Sequence, residues 1–189
     1  MAHHQKKGQD LGATIVFVDE SGFSLRPSVR RTWAPKGQTP IIRHHFNWKR
    51  LHAVGAICCK PDGSAPSLHI QLQAVPVNSD STIAFIDALD QSIEGQVTLI
   101  WDGLPAHRST KVTKHIEAQE WLTVERLPAY APELNPVEYL WAAIKNKDLA
   151  NICVDTIEQL GARLVEAHDR FDTERKILTG CLKAPKLYD

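Results

Sequence analysis

Three acidic residues stand at positions from which a folded chain could bring them together: Asp19, Asp102 and Glu138. Asp19 and Asp102 each follow an apolar run that predicts a buried β-strand, residues 14–18 and 97–101. Glu138 falls in the first turn of a predicted helix. Hard cations such as Mg²⁺ prefer oxygen ligands, and two of them about 4 Å apart can support phosphodiester cleavage. We therefore interpret the three carboxylates as ligands for Mg²⁺ or Mn²⁺, with two ions expected, in a site that cuts DNA.

Each acid also has an ordinary structural interpretation. Asp19 can end a strand, and Asp102 can form a turn with the glycine that follows it. Asn135 and Glu138 have the spacing of a capping box, in which the Glu only accepts a hydrogen bond from the backbone of the capping residue. Side-chain alternation along the first strand directs Glu20 away from Asp19, to the other face. Taken separately, each acid is open to either interpretation.

The composition restricts the class of protein. The chain has 189 residues, 43% of them hydrophobic, which suits one domain with a buried core. Lys plus Arg and Asp plus Glu both number 22, whereas a stand-alone nucleic-acid binder is usually basic. A DNA-binding protein of this composition would carry its main DNA-gripping part elsewhere.

Neither a membrane span nor a disulfide framework is expected. No apolar run approaches the length of a membrane span, and the first ten residues lack the apolar core of a signal peptide. The cysteines show no CxxC spacing, which predicts free thiols in a reducing cytoplasm. They are Cys58, Cys59, Cys153 and Cys181.

The pattern of apolar residues and caps predicts the order strand, strand, strand, helix, strand, helix, strand, helix. The first three strands can form an antiparallel meander, and the later ones need helical crossovers and so run parallel. This is the ribonuclease H-like α/β topology, a five-stranded mixed sheet flanked by helices, with the first and fourth strands side by side. The predicted strands are residues 14–18, 51–59, 67–74, 97–101 and 122–127. The predicted helices are residues 77–92, 109–120, one starting at Asn135, and 156–170 with Asp155 as its cap.

A basic segment, residues 21–50, follows the first predicted strand, and its Arg and Lys residues are interleaved with aromatic ones. Such a segment can be an arm that contacts phosphates, with Arg30, Arg31 and Lys36 as the candidate DNA contacts, or an ordinary solvated hairpin. Lys145 shares a helix face with the predicted third acid and could contact a phosphate or simply be solvated. One catalytic domain is expected over residues 13–171, between a flexible lead, residues 1–12, and a weakly patterned tail, residues 172–189.

Three blocks of the sequence together resemble the mariner superfamily of DDE transposases. VDESGF is similar to the block that carries the first acid of that family, WDGLPAHRS to the second and LPAYAPELNPVEYLWAAIK to the third. The 35 residues between Asp102 and Glu138 match the family's spacing. The resemblance is greatest to the bacterial insertion-sequence transposases related to mariner. It extends from about Ile15 to Lys147, most of the chain.

The resemblance implies a DDE transposase catalytic domain in which Asp19, Asp102 and Glu138 are the catalytic ligands of Mg²⁺ or Mn²⁺. Such enzymes cut transposon ends by water attack and then join the free 3′-hydroxyls to target DNA, typically at TA. The implied partners are transposon-end and target DNA and a second copy of the chain, as a homodimer. Residues 21–50 occupy the place of the family's clamp-like insertion, which contributes to subunit contacts and DNA clamping.

Some expectations remain less specific. His107 matches a recurring family position, with a hydrogen bond at the start of the next helix as the alternative role, and Asn135 is a second accessory candidate. Family members normally carry helix-turn-helix domains before the catalytic domain, so this chain is expected to be a fragment or the second half of a split transposase. It would act in the bacterial cytoplasm, on the nucleoid. The alternatives are a ribonuclease H-like nuclease that only hydrolyses, and an inactive transposase remnant that serves as a DNA-binding or structural module.

Overall fold

A central sheet of five strands organises the part of the chain that the computed structural model describes, residues 12–45, 47–129 and 131–188. The strands are β1 (Thr14–Ser24), β2 (Arg50–Cys59), β3 (Ser67–Gln73), β4 (Val97–Trp101) and β5 (Leu122–Arg126). They lie in the order β3-β2-β1-β4-β5, with the first three antiparallel and with β1, β4 and β5 parallel. The predicted mixed sheet is confirmed. The predicted flexible lead lies outside the described residues, except for Gly12.

Helices cover both faces of the sheet. They are α1 (Ser79–Ser92), α2 (Thr110–Glu117), α3 (Pro136–Ala143), which continues as the π-helical turn Ile144–Asp148, α4 (Ile157–Thr173) and α5 (Lys176–Lys183). Helices α1 and α2 pack on the face that carries Val16 and Val18, and α3, α4 and α5 pack on the face of Ile15 and Phe17. Both faces of β1 are therefore buried, which explains its apolar run without polar alternation. No helix in the described ranges is long and apolar enough to cross a membrane.

Strand β1 is longer than the sequence indicated. The prediction that Asp19 ends it is wrong, because β1 continues to pair with β2 as far as Ser24 and Arg50. Its parallel ladder with β4 ends much earlier, at Phe17 and Ile100. The second half of β1 therefore has a paired neighbour on one side only, and Asp19 lies just past the point where the ladder with β4 ends.

The C-terminal part corrects two further expectations. Asp155 does not cap α4, because the Thr156 hydroxyl accepts the hydrogen bond from the backbone N–H of Gln159, at 3.2 Å. The segment expected as a tail contains α5, which buries Leu178 and Leu182. This helix covers little more than two turns and has no side-chain cap, so neither a long apolar period nor a capping residue marks it in the sequence. The four cysteines are free thiols, as predicted.

One buried residue, Asn135, anchors α3 to β1. Its Oδ1 accepts a hydrogen bond from the backbone N–H of Val137 at 3.1 Å and so caps the helix, while its Nδ2–H donates to the carbonyl of Val18 at 3.0 Å. Asn135 is only 2% exposed, so both bonds are shielded from water. A single side chain thus starts the helix that carries Glu138 and ties it to the strand that carries Asp19.

Contacts further along α3 hold the helix against the same strand. Gly55 of β2 pairs with Asp19, and a Cβ at Gly55 would lie only 2.5 Å from the ring of Trp141. Glycine at this position therefore allows α3 to approach the sheet closely. The π-helical turn then brings Lys145 to β1, where its Nζ donates a hydrogen bond to Ser21 Oγ at 2.7 Å.

Replacement of Asn135 by Ala tests whether this anchor is more than a helix cap. Asn78 caps α1 at the surface and is the matched control, and its loss should cost about 1 kcal/mol of unfolding free energy. Asn135→Ala should cost roughly 2–4 kcal/mol, because it also leaves the buried Val18 carbonyl without its donor. Urea denaturation measures both. Equal losses for the two variants would show that the bond to Val18 does not hold α3 in place.

Candidate active site

An open cleft of about 570 Å³ lies where β1 extends past its ladder with β4. The three acids singled out in the sequence all line it, although they come from three separate elements. Asp19 comes from β1, Asp102 follows β4 directly, and Glu138 lies in the first turn of α3. Two arginines that the sequence analysis did not single out, Arg108 and Arg126, line the same cleft.

Of the three acids, Asp19 is the one whose ionised form is most destabilised by its surroundings. Burial, as the largest cause, and the negative charges of Glu138, Glu20 and Asp102 together raise the pKa of its carboxyl to about 8, against one backbone hydrogen bond from Glu20. Its buried Oδ2 has no hydrogen-bond partner in the described part of the protein. A buried carboxylate in this condition needs a proton or a cation.

Glu138 is exposed at the edge of the cleft, and its capping-box interpretation is wrong. The backbone N–H of Asn135, which a capping Glu would bind, instead donates to the carbonyl of Pro132 at 2.9 Å. The short 3₁₀ turn Pro132–Leu134 before the helix has taken that donor. Within the described ranges, no hydrogen bond or ion pair engages the carboxylate of Glu138, which leaves it available to a ligand of the cleft.

Asp102 is held by two donors on one oxygen. Its Oδ1 accepts a hydrogen bond from the backbone N–H of Leu104 and forms an ion pair with His107 Nδ1, both at 3.0 Å. Burial acts to raise the pKa of this carboxyl, but these hydrogen bonds and the charges of His107 and Arg108 together lower it below its ordinary value. The turn role considered for Asp102 is therefore real, and it coexists with a place in the cleft.

His107 is buried behind Asp102 and is only 2% exposed. Its ring stacks on Trp101 with centroids 4.0 Å apart and planes 2° from parallel, and its Nε2 lies 2.7 Å from Glu20 Oε1. Burial would lower the pKa of the imidazole, but hydrogen bonds to Asp102 and Glu20 raise it to about 9. The alternative role at the start of the next helix belongs instead to Ser109, whose hydroxyl caps α2.

Sequence reasoning missed Glu20 as a member of this region. Alternation along β1 directed it correctly to the face opposite Asp19, but nothing in the sequence showed that His107, 87 positions away, lies on that face. Glu20, Asp102 and His107 together form a group of potential ligand atoms within 4.8 Å of one another. These atoms already bond to each other, so we interpret the group as a hydrogen-bonded triad and not as a second metal site.

The donor set of the cleft fits a hard divalent cation. Asp19, Asp102 and Glu138 offer carboxylate oxygens of the kind that Mg²⁺ and Mn²⁺ prefer, and among the described residues the buried Oδ2 of Asp19 has no hydrogen-bond partner. A bound cation would offset the electrostatic repulsion between these three carboxylates.

The basic residues predicted to contact DNA do not line this cleft. Arg30, Arg31 and Lys36 lie on the exposed basic segment, and Lys145 is directed to Ser21 and lies over the Phe23 ring. The basic segment is attached to the rest of the fold at Arg30, whose backbone N–H donates a hydrogen bond to Asn151 Oδ1 at 2.8 Å. Its more distal part is exposed, and Trp33 is 99% accessible.

Comparison with solved structures shows the same fold in a transposase. The Mos1 transposase paired-end complex with left transposon end matches with a TM-score of 0.63 and 19% identity, over 98% of this chain and 59% of that chain. The Mos1 strand transfer complex matches with a TM-score of 0.61 and 18% identity, over 99% and 58%. The catalytic domain of Mos1 mariner transposase matches with a TM-score of 0.54 and 18% identity, over 100% and 89%. The chain thus spans about three-fifths of the first two relatives.

Sequence comparison supplies the family. No curated protein matches the chain. The family model described as DDE superfamily endonuclease matches residues 14–161, which include the three acids of the cleft and all five strands of the sheet. The chain therefore belongs to the DDE superfamily endonuclease family.

Proposed function

We propose that this chain is the catalytic domain of a DDE transposase, which cuts transposon-end DNA and joins the 3′-hydroxyl ends to target DNA, typically at TA. The observation that carries the proposal is that Asp19, Asp102 and Glu138 line one cleft, where a buried oxygen of Asp19 has no hydrogen-bond partner among the described residues. Family membership supports endonuclease chemistry. The solved Mos1 complexes with a transposon end and after strand transfer support the choice of DNA and of joining.

The residues of the cleft have distinct parts in this chemistry. Asp19, Asp102 and Glu138 would hold Mg²⁺ or Mn²⁺, which when bound supplies the Lewis acidity that phosphoryl transfer requires. Asp102 is kept ionised by its two donors. Arg108 and Arg126 line the same cleft and attract the phosphates of a DNA strand towards it. The same arrangement serves both steps, because water and a DNA 3′-hydroxyl are alternative nucleophiles for the same phosphodiester chemistry.

We further propose that the active complex is a homodimer and that a helix-turn-helix region, not included in this chain, reads the transposon end. The chain spans about three-fifths of the Mos1 transposase in its end complex, which supports a further DNA-binding part. Exposed apolar residues of the basic segment, Trp33 at 99% and Ile41 at 79%, support a subunit contact there. Four free thiols support action in the bacterial cytoplasm.

A purely hydrolytic nuclease and an inactive remnant are the competing functions. An assay with transposon-end DNA that is already cut distinguishes the transposase from the nuclease, because only a transposase joins this DNA to a target. The remnant would neither cut DNA nor join it. We propose Lys145 as a phosphate contact beyond Glu138, because its Nζ donates a hydrogen bond to Ser21 of β1, two residues past Asp19.

Metal binding should stabilise the protein through Asp19. In the absence of metal, Asp19→Asn should raise the melting temperature, because it removes a buried carboxylate that lacks a partner. Mn²⁺ at about 100 times its dissociation constant should stabilise the wild type by roughly 2.7 kcal/mol and Asp19→Asn far less. Thermal denaturation with and without Mn²⁺ measures both effects. Asp90→Asn, an exposed change on α1, is the control, and equal metal responses in the two variants would exclude Asp19 as a ligand.

Glu138→Gln should separate catalysis from folding. Glu138 is exposed and forms no capping box, so Gln should change the unfolding free energy by well under ~1 kcal/mol. Gln lacks the negative oxygen that a hard cation needs, so nicking and joining of transposon-end DNA should fall by orders of magnitude. The assay uses the transposase with its DNA-binding part. Glu133→Gln, in the turn just before α3, is the control. Loss of cleavage in that variant alone would show that Glu133, and not Glu138, is the third metal-binding acid.

Replacement of Arg30 and Arg31 by Ala tests the basic segment. DNA binding should weaken similarly for all sequences, and the slope of log K against log salt should flatten by up to about 2, because phosphate contacts carry no base information. Filter binding across a salt series measures the slope. Arg163 and Arg175, exposed arginines that pair with neighbouring acids, supply the matched double variant. An unchanged slope would assign the segment to subunit contacts.

A further inference from the structure

A chain of hydrogen bonds crosses from β1 to the residue that follows β4. Glu20 Oε1 accepts from His107 Nε2–H at 2.7 Å, His107 Nδ1 forms an ion pair with Asp102 Oδ1 at 3.0 Å, and the same nitrogen is hydrogen-bonded to the Asp102 carbonyl at 3.3 Å. Both ring nitrogens are therefore occupied by acceptors. We call this Glu20–His107–Asp102 chain the bridge. It is largely shielded from water, since the side chains of His107 and Glu20 are 1% and 13% exposed.

This bridge stands where the backbone no longer joins the two strands. The ladder between β1 and β4 ends at Phe17 and Ile100, before Glu20 and before Asp102. Past that point, the contact of Glu20 with His107 ties β1 to the loop after β4. The stacked ring of Trp101, the last residue of β4, fixes the plane of the imidazole and so limits the direction of both of its N–H bonds.

The bridge also determines which oxygen of Asp102 is available. Leu104 N–H and His107 Nδ1–H both bind Oδ1. Within the described ranges, no hydrogen bond engages Oδ2 of Asp102, which therefore remains available to a cation in the cleft that Asp102 lines. Without His107, only the Leu104 N–H would orient a carboxylate whose side chain is 40% exposed.

We infer that Glu20 and His107 are positioning residues, which orient Asp102 so that one of its oxygens is presented to the metal of the cleft. The inference rests on the proposed function, because it assumes that Asp102 is a metal ligand. Neither residue contacts the cation: His107 acts through Asp102, and Glu20 acts through His107. Partners of this kind behind a metal ligand typically contribute 10–100-fold to metal affinity or activity.

The chain contains a matched control for the His–acid contact. His115 on α2 bonds to Asp87 on α1, with Nε2 and Oδ1 2.8 Å apart. This pair is more exposed, at 23% for His115 and 51% for Asp87, and it does not line the cleft. His115→Ala therefore removes a histidine–carboxylate contact without touching Asp102.

Mn²⁺ affinity of the chain, measured by electron paramagnetic resonance of the free ion, tests the inference. His107→Ala should bind Mn²⁺ about 10- to 100-fold more weakly than the wild type, whereas His115→Ala should bind as the wild type does. His107→Asn, which can keep an N–H directed at Asp102, should recover part of the loss. Glu20→Gln should weaken Mn²⁺ binding in the wild-type background and have no further effect in His107→Ala. Melting temperatures confirm that each variant is folded.

Three results would overturn the inference. In the first, the wild type binds Mn²⁺ and folded His107→Ala and Glu20→Gln bind it equally well. In the second, the bound ion shows the nitrogen coupling of a directly coordinated imidazole, which would make His107 a ligand. In the third, the wild type binds no Mn²⁺, which would overturn the proposed metal site itself and so distinguishes that failure from the first two.

Discussion

Like charges repel, and this fold must hold three carboxylates in one cleft against that repulsion and against the loss of water around Asp19. The restraints that do so converge on β1. The ladder with β2 holds Asp19 in place, and Asn135 ties the start of α3, and with it Glu138, to the Val18 carbonyl. The bridge through His107 ties the loop of Asp102 to the same strand. A shift of β1 would therefore disturb all three acids together.

The two consecutive acids of β1 act on opposite faces of the sheet. Asp19 lines the cleft directly, and Glu20 reaches Asp102 through His107. Their surroundings divide the acids of the cleft into two kinds. Asp102 already has two donors and a lowered pKa, whereas Asp19 has a raised pKa and an oxygen without a partner. A cation would therefore be stabilised most strongly beside Asp19 and Glu138.

The sequence predicted those features that short-range patterns encode. Apolar runs and caps were sufficient for the order of the sheet, and the three blocks singled out the acids that line one cleft. The extension of β1 past Asp19 was missed, because pairing with β2 outweighs the polar run that seemed to end the strand. The capping-box alternative for Glu138 could not be decided from spacing, since it depended on which carbonyl takes the Asn135 N–H. The Glu20–His107 bond was beyond reach, because it joins residues 87 positions apart.

Asp19, Asp102 and Glu138 are proposed to form one metal site. The most direct measurement is anomalous diffraction at the manganese edge from crystals of the chain grown with Mn²⁺. We expect anomalous density in the cleft, coordinated by carboxylate oxygens of all three acids, with His107 bonded to Asp102 on the side away from the metal. Density between Glu20 and His107, or a cleft without manganese at a concentration that stabilises the protein, would contradict it.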